Sequence, residues 1–205
     1  MTVDGVLERL NVSRETYERL EIFAAVLEKW NSKINLISRH SVSDIWTRHI
    51  VDSIQVFRSV PAPQHWVDMG SGGGLPGVVV GILASAERHG TRVTLIESDQ
   101  RKAAFLRTAA RECGASIQVL SDRIERCQPQ NADVLSARAL ADLTKLLEFS
   151  ERHLNPKGVA VFPKGANWKK EVDNALKSWR FDFEPITSLT EPDAVLLKIK
   201  GVARV

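Results

Sequence analysis

Asp68-Met69-Gly70-Ser71-Gly72-Gly73-Gly74-Leu75-Pro76-Gly77 places one carboxylate at the head of a run holding five glycines. Glycines at this density let the backbone turn tightly and let a ligand approach bare main chain. A carboxylate at the same place repels a pyrophosphate and favours a cationic group. Further on, Glu97 closes the apolar run RVTLIE (92–97). An acid there can accept two hydrogen bonds from a ribose diol; the plain alternative is a surface acid at a strand end. Asp122-Arg123-Ile124-Glu125 offers an apolar contact for a purine ring with a polar group beside it. In Ser136-Ala137-Arg138-Ala139, the guanidinium of Arg138 can clamp a carboxylate or hold a base carbonyl such as guanine O6. A structural ion pair is the competing reading for Arg138.

These residues need a scaffold that brings them to one edge. In residues 1–60, Tyr17, Leu20, Phe23, Leu27, Trp30 and Ile34 recur at three- and four-residue steps and form one helical apolar stripe. Ser13 is its N-cap candidate. A second helix is expected after Ser43, also an N-cap candidate, carrying Trp46, Ile50, Ile54 and Phe57 and stopped by Pro61 and Pro63. Beyond Pro63 short apolar runs alternate with helical stretches. Strands are expected at 66–69, 92–97, 116–120, 132–136 and 159–162, and helices at 76–88, 101–113, 141–153 and 168–177. Runs near 181–186 and 194–199 read as a closing hairpin on the sheet edge. Alternation of this kind predicts a mostly parallel α/β sheet with helices on both faces. The expected organisation is a helical extension over 1–60 and a Rossmann-like domain over 61–205.

Composition narrows the class. The 205 residues are 43% hydrophobic and 26% charged, with a net charge of +3. That balance excludes a disordered chain and permits, without requiring, nucleic acid as partner. Cys113 and Cys127 lie in no metal-ligand or disulfide spacing, so no metal and a reduced, cytoplasmic setting are expected. The first ten residues carry early acids and lack an apolar core, which argues against a signal peptide. Val78 to Ala86 is about half the length of a membrane span. Nothing sets the oligomeric state; a monomer is the simplest expectation.

The glycine run admits two cofactor chemistries. Gly72-x-Gly74-x-x-Gly77 matches the dinucleotide fingerprint and, with Glu97, supports a small NAD(P)-dependent oxidoreductase. That reading lacks a Tyr-x-x-x-Lys, because the single tyrosine is Tyr17. Asp68-x-Gly70-x-Gly72-x-Gly74 is the glycine-rich pattern of Rossmann-like methyltransferases. Their cofactor, S-adenosylmethionine, carries an ammonium and a sulfonium that suit Asp68. After the fourth strand there is no Asn/Asp-Pro-Pro-Tyr/Phe for an exocyclic amine, and neither cysteine is placed for attack on a pyrimidine carbon. What remains is a nucleophile that needs no activation, such as guanine N7, for which alignment does most of the work. A non-catalytic RNA-binding module with a relic cofactor site is the third reading.

Three further segments beside the glycine run make the comparison specific. The glycine run, Trp30-Asn31-Ser32-Lys33-Ile34-Asn35-Leu36, Arg48-His49-Ile50-Val51-Asp52-Ser53, and Ser136-Ala137-Arg138-Ala139 with Lys164-Gly165 together resemble the bacterial RsmG (GidB) family. The resemblance implies a Rossmann-like class I methyltransferase that transfers a methyl group from S-adenosylmethionine to guanine N7 in small-subunit (16S) ribosomal RNA. It implies cofactor contacts at Gly70, Leu75, Ile124, Glu125 and Arg138, beside Asp68, Gly72, Gly74 and Glu97 from the motif. This chain has Ile124 where the family usually has alanine. His49 and Asp52, three apart, read as a structural pair fixing the N-terminal helices to the sheet, or as a substrate-side pair. Residues 29–60 carry five Lys or Arg against two acids, and residues 152–180 seven against two. Lys33, Arg39, Arg48, Lys164, Lys169 and Lys170 are therefore the candidates for contact with RNA phosphates.

Overall fold

A computed structural model describes residues 10–38 and 41–205. Helix α1 (Arg14–Asn31) starts where its cap chemistry places it: Ser13 Oγ accepts from the Thr16 amide at 3.2 Å. Its stripe, Leu20, Phe23 and Leu27, is fully buried. The second helix departs from expectation. It opens as a π-helical turn (Ile45–Ile50) and continues as α2 (Val51–Arg58). Ser43 does not cap it; the residue before the turn is Asp44, which makes no side-chain cap bond either.

Seven strands follow: β1 (His65–Met69), β2 (Arg92–Ile96), β3 (Ile117–Leu120), β4 (Ala132–Ser136), β5 (Leu154–Lys164), β6 (Trp179–Thr187) and β7 (Val195–Arg204). Their order is β3-β2-β1-β4-β5-β7-β6, parallel except for antiparallel β7, which pairs with both β5 and β6. Helices α3 (Gly77–Glu87), α4 (Gln100–Glu112), α5 (Leu143–His153) and α6 (Trp168–Ala175) connect them. Strand β5 is longer than its apolar run because Asn155-Pro156-Lys157-Gly158 is not a turn. Ala132 pairs with Leu154 and Val134 with Val159, so the extra residues bulge out within the strand.

Alternation along the strands splits the interior into two cores. Trp66, Val93, Val134 and Val161 face one side and pack with α1, α2, α3 and α4. Val67, Ile96, Leu135 and Phe162 face the other, with α5 and α6. The described N-terminal residues thus share a core with one face of the sheet. Trp30 meets Phe105 of α4 at 5.8 Å, and Phe57 of α2 stacks on Trp66 at 6.1 Å. Arg58 of α2 also bonds Glu87 of α3 (Nη2 to Oε1, 2.9 Å). Strands β1 and β4 are neighbours whose onward connections run to opposite halves of the sheet. The crevice at their carboxyl ends is where open α/β sheets bind ligands. No helix among the described residues is long and apolar enough to cross a membrane.

Candidate functional site

The loop after β1 turns through left-handed glycines, Gly70 (φ +61°), Gly72 (+47°) and Gly74 (+76°), a conformation that costs other residues strain. Gly73 is needed for space: a Cβ there would stand 3.1 Å from the Leu36 carbonyl. That carbonyl is brought in by Asn31, whose Oδ1 accepts from the Leu36 and Ile37 amides at 2.9 and 3.0 Å. The Trp30–Leu36 segment therefore works by folding the end of α1 onto the glycine turn.

Behind the turn lies a buried polar chain. Trp66 Nε1 donates to Ser136 Oγ (2.9 Å), and Ser136 Oγ donates to Asp68 Oδ1 (2.7 Å). Asp68 and Ser136 are register partners on β1 and β4. Asp68 Oδ2 is buried without a hydrogen-bond partner. Burial pushes the Asp68 carboxyl up to about 6, against the opposing pull of Ser136 and of the positive charge on Arg138. The sequence placed Asp68 in contact with cofactor; the side chain instead lies behind the turn and off the cavity wall, because it shares a strand face with Trp66 and is drawn inward by Ser136. A folded-state value above the unfolded one means that the folded chain holds the proton longer. Stability of the apoprotein is therefore expected to fall as pH rises from about 4 to about 6, the window in which the unfolded chain has given up the Asp68 proton and the folded chain still holds it. Denaturant unfolding at stepped pH checks this, with Asp68→Asn expected to flatten the slope over that window.

Glu97 ends the run from β2 and is 8% exposed. Its Oε2 accepts from the Gly72 amide and its Oε1 from the Asp99 amide, both at 2.8 Å. The carboxylate thus ties the glycine turn to the loop that starts α4, and each oxygen retains a second lone pair. Ile124 is buried in the second core, while Glu125 is exposed at the turn after β3. Gly74, Glu97, Ile124 and Glu125 lie outside the walls of the main cavity, whereas Gly70, Gly72, Leu75 and Arg138 line it.

That cavity, about 920 Å³, joins the glycine turn to the residue after β4, to α2 and to the β6–β7 loop. Arg138 is its central cation. Nη1 donates to His49 Nδ1 at 2.8 Å and lies 3.5 Å from the Arg48 carbonyl, with Asp52 and Asp68 as its charge partners. The two residues three apart do not bond each other. His49 takes Arg138, and Asp52 Oδ1 accepts from Ser188 (3.3 Å) and from Thr190. The cause is the π turn, whose wider winding breaks the α-helical rule that residues three apart share a face. Each residue still fastens the N-terminal helices to the rest of the protein. Gln55 adds to this by donating to the Thr187 carbonyl (2.9 Å) and accepting from the Leu189 amide (3.0 Å). Burial and the neighbouring guanidinium push the His49 ring down to about 4, so the imidazole is neutral near pH 7.

The basic candidates separate. Lys33, Lys169 and Lys170 are exposed, and Arg48 is an exposed residue on the cavity wall 3.5 Å from Glu191. Lys164 is not an open cation. Its side chain is 9% exposed and its Nζ is bonded to Glu171 Oε2 (2.7 Å) and the Ala141 carbonyl (3.1 Å). Its position at the end of β5 turns it inward onto α6. Arg39 lies outside the described residues. Sequence reasoning missed Lys102, which lines the cavity from the first turn of α4, and the stretch Ser188–Leu196. Lys102 could have been found from its place just after Glu97. No local signal marks the loop, whose partners lie more than 130 residues away. Cys113 and Cys127 are both buried away from the cavity, and burial pushes the Cys113 thiol up to about 12. Among the described residues no cluster of His, Cys, Asp or Glu is arranged to hold a metal ion.

Residues 16–194 match the family described as rRNA small subunit methyltransferase G. The chain belongs to that family. It is 66% identical over 201 residues to the ribosomal RNA small subunit methyltransferase G of Ruegeria sp. (strain TM1040), covering 98% of both chains. It is 62% identical over 196 residues to that of Ruegeria pomeroyi, covering 96% of both. Among solved structures it resembles a ribosomal protein L11 methylase from Lactobacillus delbrueckii subsp. bulgaricus, with TM-score 0.59, 16% identity, 75% of this chain and 78% of that one. A mutant of MtNAS in complex with S-adenosylmethionine superposes with TM-score 0.59, 16% identity, 89% of this chain and 71% of that one. At such identities these structures show the shared Rossmann-like class I fold. Within the family's frame the glycine turn fits S-adenosylmethionine. It offers bare main chain to the cavity, a held carboxylate at the end of β2, and a buried, unpartnered carboxylate oxygen behind it whose ionised form a positive ligand would favour.

Proposed function

We propose that this methyltransferase transfers the methyl group of S-adenosylmethionine to N7 of a guanine in small-subunit ribosomal RNA. The observation that carries the reading is the cavity joining the glycine turn to Arg138 and the N-terminal helices, on whose wall the ring nitrogen His49 Nδ1 and the carboxylate of Asp52 are already engaged. His49 Nδ1 accepts from Arg138, and Asp52 accepts from two hydroxyls. Neither is a free base, and no cysteine is on the wall. Guanine N7 has a lone pair and no proton to lose, so it asks only for alignment. The bound cofactor supplies an electrophilic methyl group. The chain's part is to hold the adenosine with Gly70, Gly72, Leu75 and Glu97, with Ile124 and Glu125 at the adenine end. Arg138 orients a carboxylate or the guanine O6, and the α2 and β6–β7 walls exclude water. Methyl transfer from labelled cofactor to rRNA of a strain lacking the protein, with the modified nucleotide mapped, tests the reading; label at a position other than guanine N7 overturns it. The oxidoreductase alternative has no support among the relatives, and Tyr17 is packed on Trp46 at 5.1 Å in the helical segment. The reading carries with it action in the cytoplasm.

N7 lies on the edge of guanine that faces the deep, narrow groove of A-form RNA, so the target belongs in a loop or out of its stack. Arg48 and Lys102 on the wall, with Lys33 close in sequence to the wall residue Leu36 and Lys169 and Lys170 just before the wall residue Glu171, are the proposed phosphate contacts. Removing one such contact is expected to lower the salt slope of RNA binding by about 0.7–0.9 while leaving cofactor affinity unchanged. RNA binding against salt for Arg48→Ala and for Lys169→Ala/Lys170→Ala checks this; wild-type slopes in both place RNA docking elsewhere.

A further inference from the structure

We propose that Arg152 and His153, at the C-terminal end of α5, are positioning residues that clamp the loop after β3 in the shape that receives the adenine end of the cofactor. The inference rests on the reading that this end lies against Ile124 and Glu125.

His153 is fully buried, and its Nε2 lies 3.0 Å from the Ile124 carbonyl oxygen. A carbonyl only accepts, so Nε2 carries the ring proton and Nδ1 is bare. Nδ1 is itself buried without a partner. A second proton there would be a donor with no acceptor, and burial accordingly lowers the ring's pKa. The preceding residue acts on the same loop. Arg152 Nη2 donates to the Cys127 carbonyl at 2.8 Å and Nε at 3.3 Å.

Between the two clamped carbonyls the chain makes one tight turn, with the Arg126 and Cys127 amides donating to the Arg123 carbonyl at 2.9 and 3.2 Å. The apolar side chains of Ile124 and Cys127 are 8% and 7% exposed, sunk into the second core. The turn after β3 therefore has its inward carbonyls fixed by α5. Its Ile124–Glu125 segment is left at the edge where the adenine is read to lie. Neither Arg152 nor His153 lines the main cavity, so any effect on the cofactor passes through this loop.

The test compares His153→Phe, which removes the donor, with His153→Gln, whose amide nitrogen can occupy the Nε2 position, and Arg152→Met, a change at an exposed residue. The expected result for His153→Phe is a five- to tenfold rise in the Kd and KM for S-adenosylmethionine, an order-of-magnitude figure for one lost buried bond. RNA KM and kcat at saturating cofactor should stay at wild-type values. His153→Gln should restore most of the affinity, and Arg152→Met should raise the Kd about threefold. Unchanged cofactor affinity in both His153→Phe and Arg152→Met overturns the clamp. So does an equal loss in RNA and cofactor parameters that glutamine does not rescue, which marks a merely structural histidine. If His153→Phe does not fold, Arg152→Met and His153→Gln decide alone: wild-type affinity in Arg152→Met overturns the proposal. Amide resonances of Ile124 and Glu125, followed during titration of the wild type with S-adenosylhomocysteine, separate the two levels. Resonances that stay still sink the adenine placement itself; resonances that shift, with affinity untouched in the variants, sink only the clamp.

Discussion

Arg138→Ala is expected to lower single-turnover methyl transfer by about a hundredfold or more, the scale on which misplacing a positioning group costs a reaction that depends on alignment. Arg138 is the cation that faces both Asp52 and Asp68 and that donates to His49. Without it, the Asp68 carboxyl, already pushed up to about 6 by burial, loses a favourable charge and rises further. The His49 ring, held down to about 4 in part by the same guanidinium, moves back toward its ordinary value and loses the donor that fixes its orientation. The wall between α2 and the end of β4 then has no common partner. Lysine at this position is expected to recover only a small part of the rate, because a single ammonium cannot reproduce the planar fork that serves several partners at once. Single-turnover rates with labelled cofactor, read beside thermal unfolding, check the expectation. Wild-type rates in both variants would remove Arg138 from the reaction and leave it as part of the fold alone.

Glu97→Ala is expected to weaken S-adenosylmethionine binding by at least tenfold, since each charge-assisted hydrogen bond lost is worth about 1.5–3 kcal/mol. The structure adds to the ribose argument a second route to the same loss. Both carboxylate oxygens hold backbone amides, Gly72 on one side and Asp99 on the other. Alanine therefore releases the glycine turn as well as the ligand. Glutamine does not solve the problem, because in either orientation its NH2 group faces an amide that also donates. Calorimetric titration of both variants with S-adenosylmethionine measures the effect. Affinity equal to wild type in Glu97→Ala would take this residue out of the cofactor site. Loss in alanine with full recovery in glutamine would show that charge and acceptor count at the turn are immaterial.

The sheet and its helices were readable from the chain because β/α alternation is a local, periodic signal: 2.0 along the strands, 3.6 along the helices. The closing hairpin was readable for the same reason. The glycine turn and Glu97 were readable because strand ends in such a sheet converge on one edge, so motif position along the chain implies position in space. Three things depended on contacts between distant segments and had no periodic trace. The strand face of Asp68 carries Trp66 too, and Ser136 draws the carboxylate inward across the β1–β4 pair, so an acid that reads as a ligand contact ends up behind the wall. Lys164 looks like a free basic residue in sequence, yet folding brings it onto Glu171 and buries its charge. The π turn at Ile45–Ile50 sends His49 to Arg138 and Asp52 to the β6–β7 loop, where helical spacing had suggested that they meet. The sequence by itself determined the architecture and the sheet edge at which the glycine turn, Glu97 and Arg138 gather, since both follow from residue order and short-range periodicity. The tertiary structure alone decided which charged groups face the cavity and which neutralise one another, because burial and pairing are set by side chains that meet only once the sheet has closed.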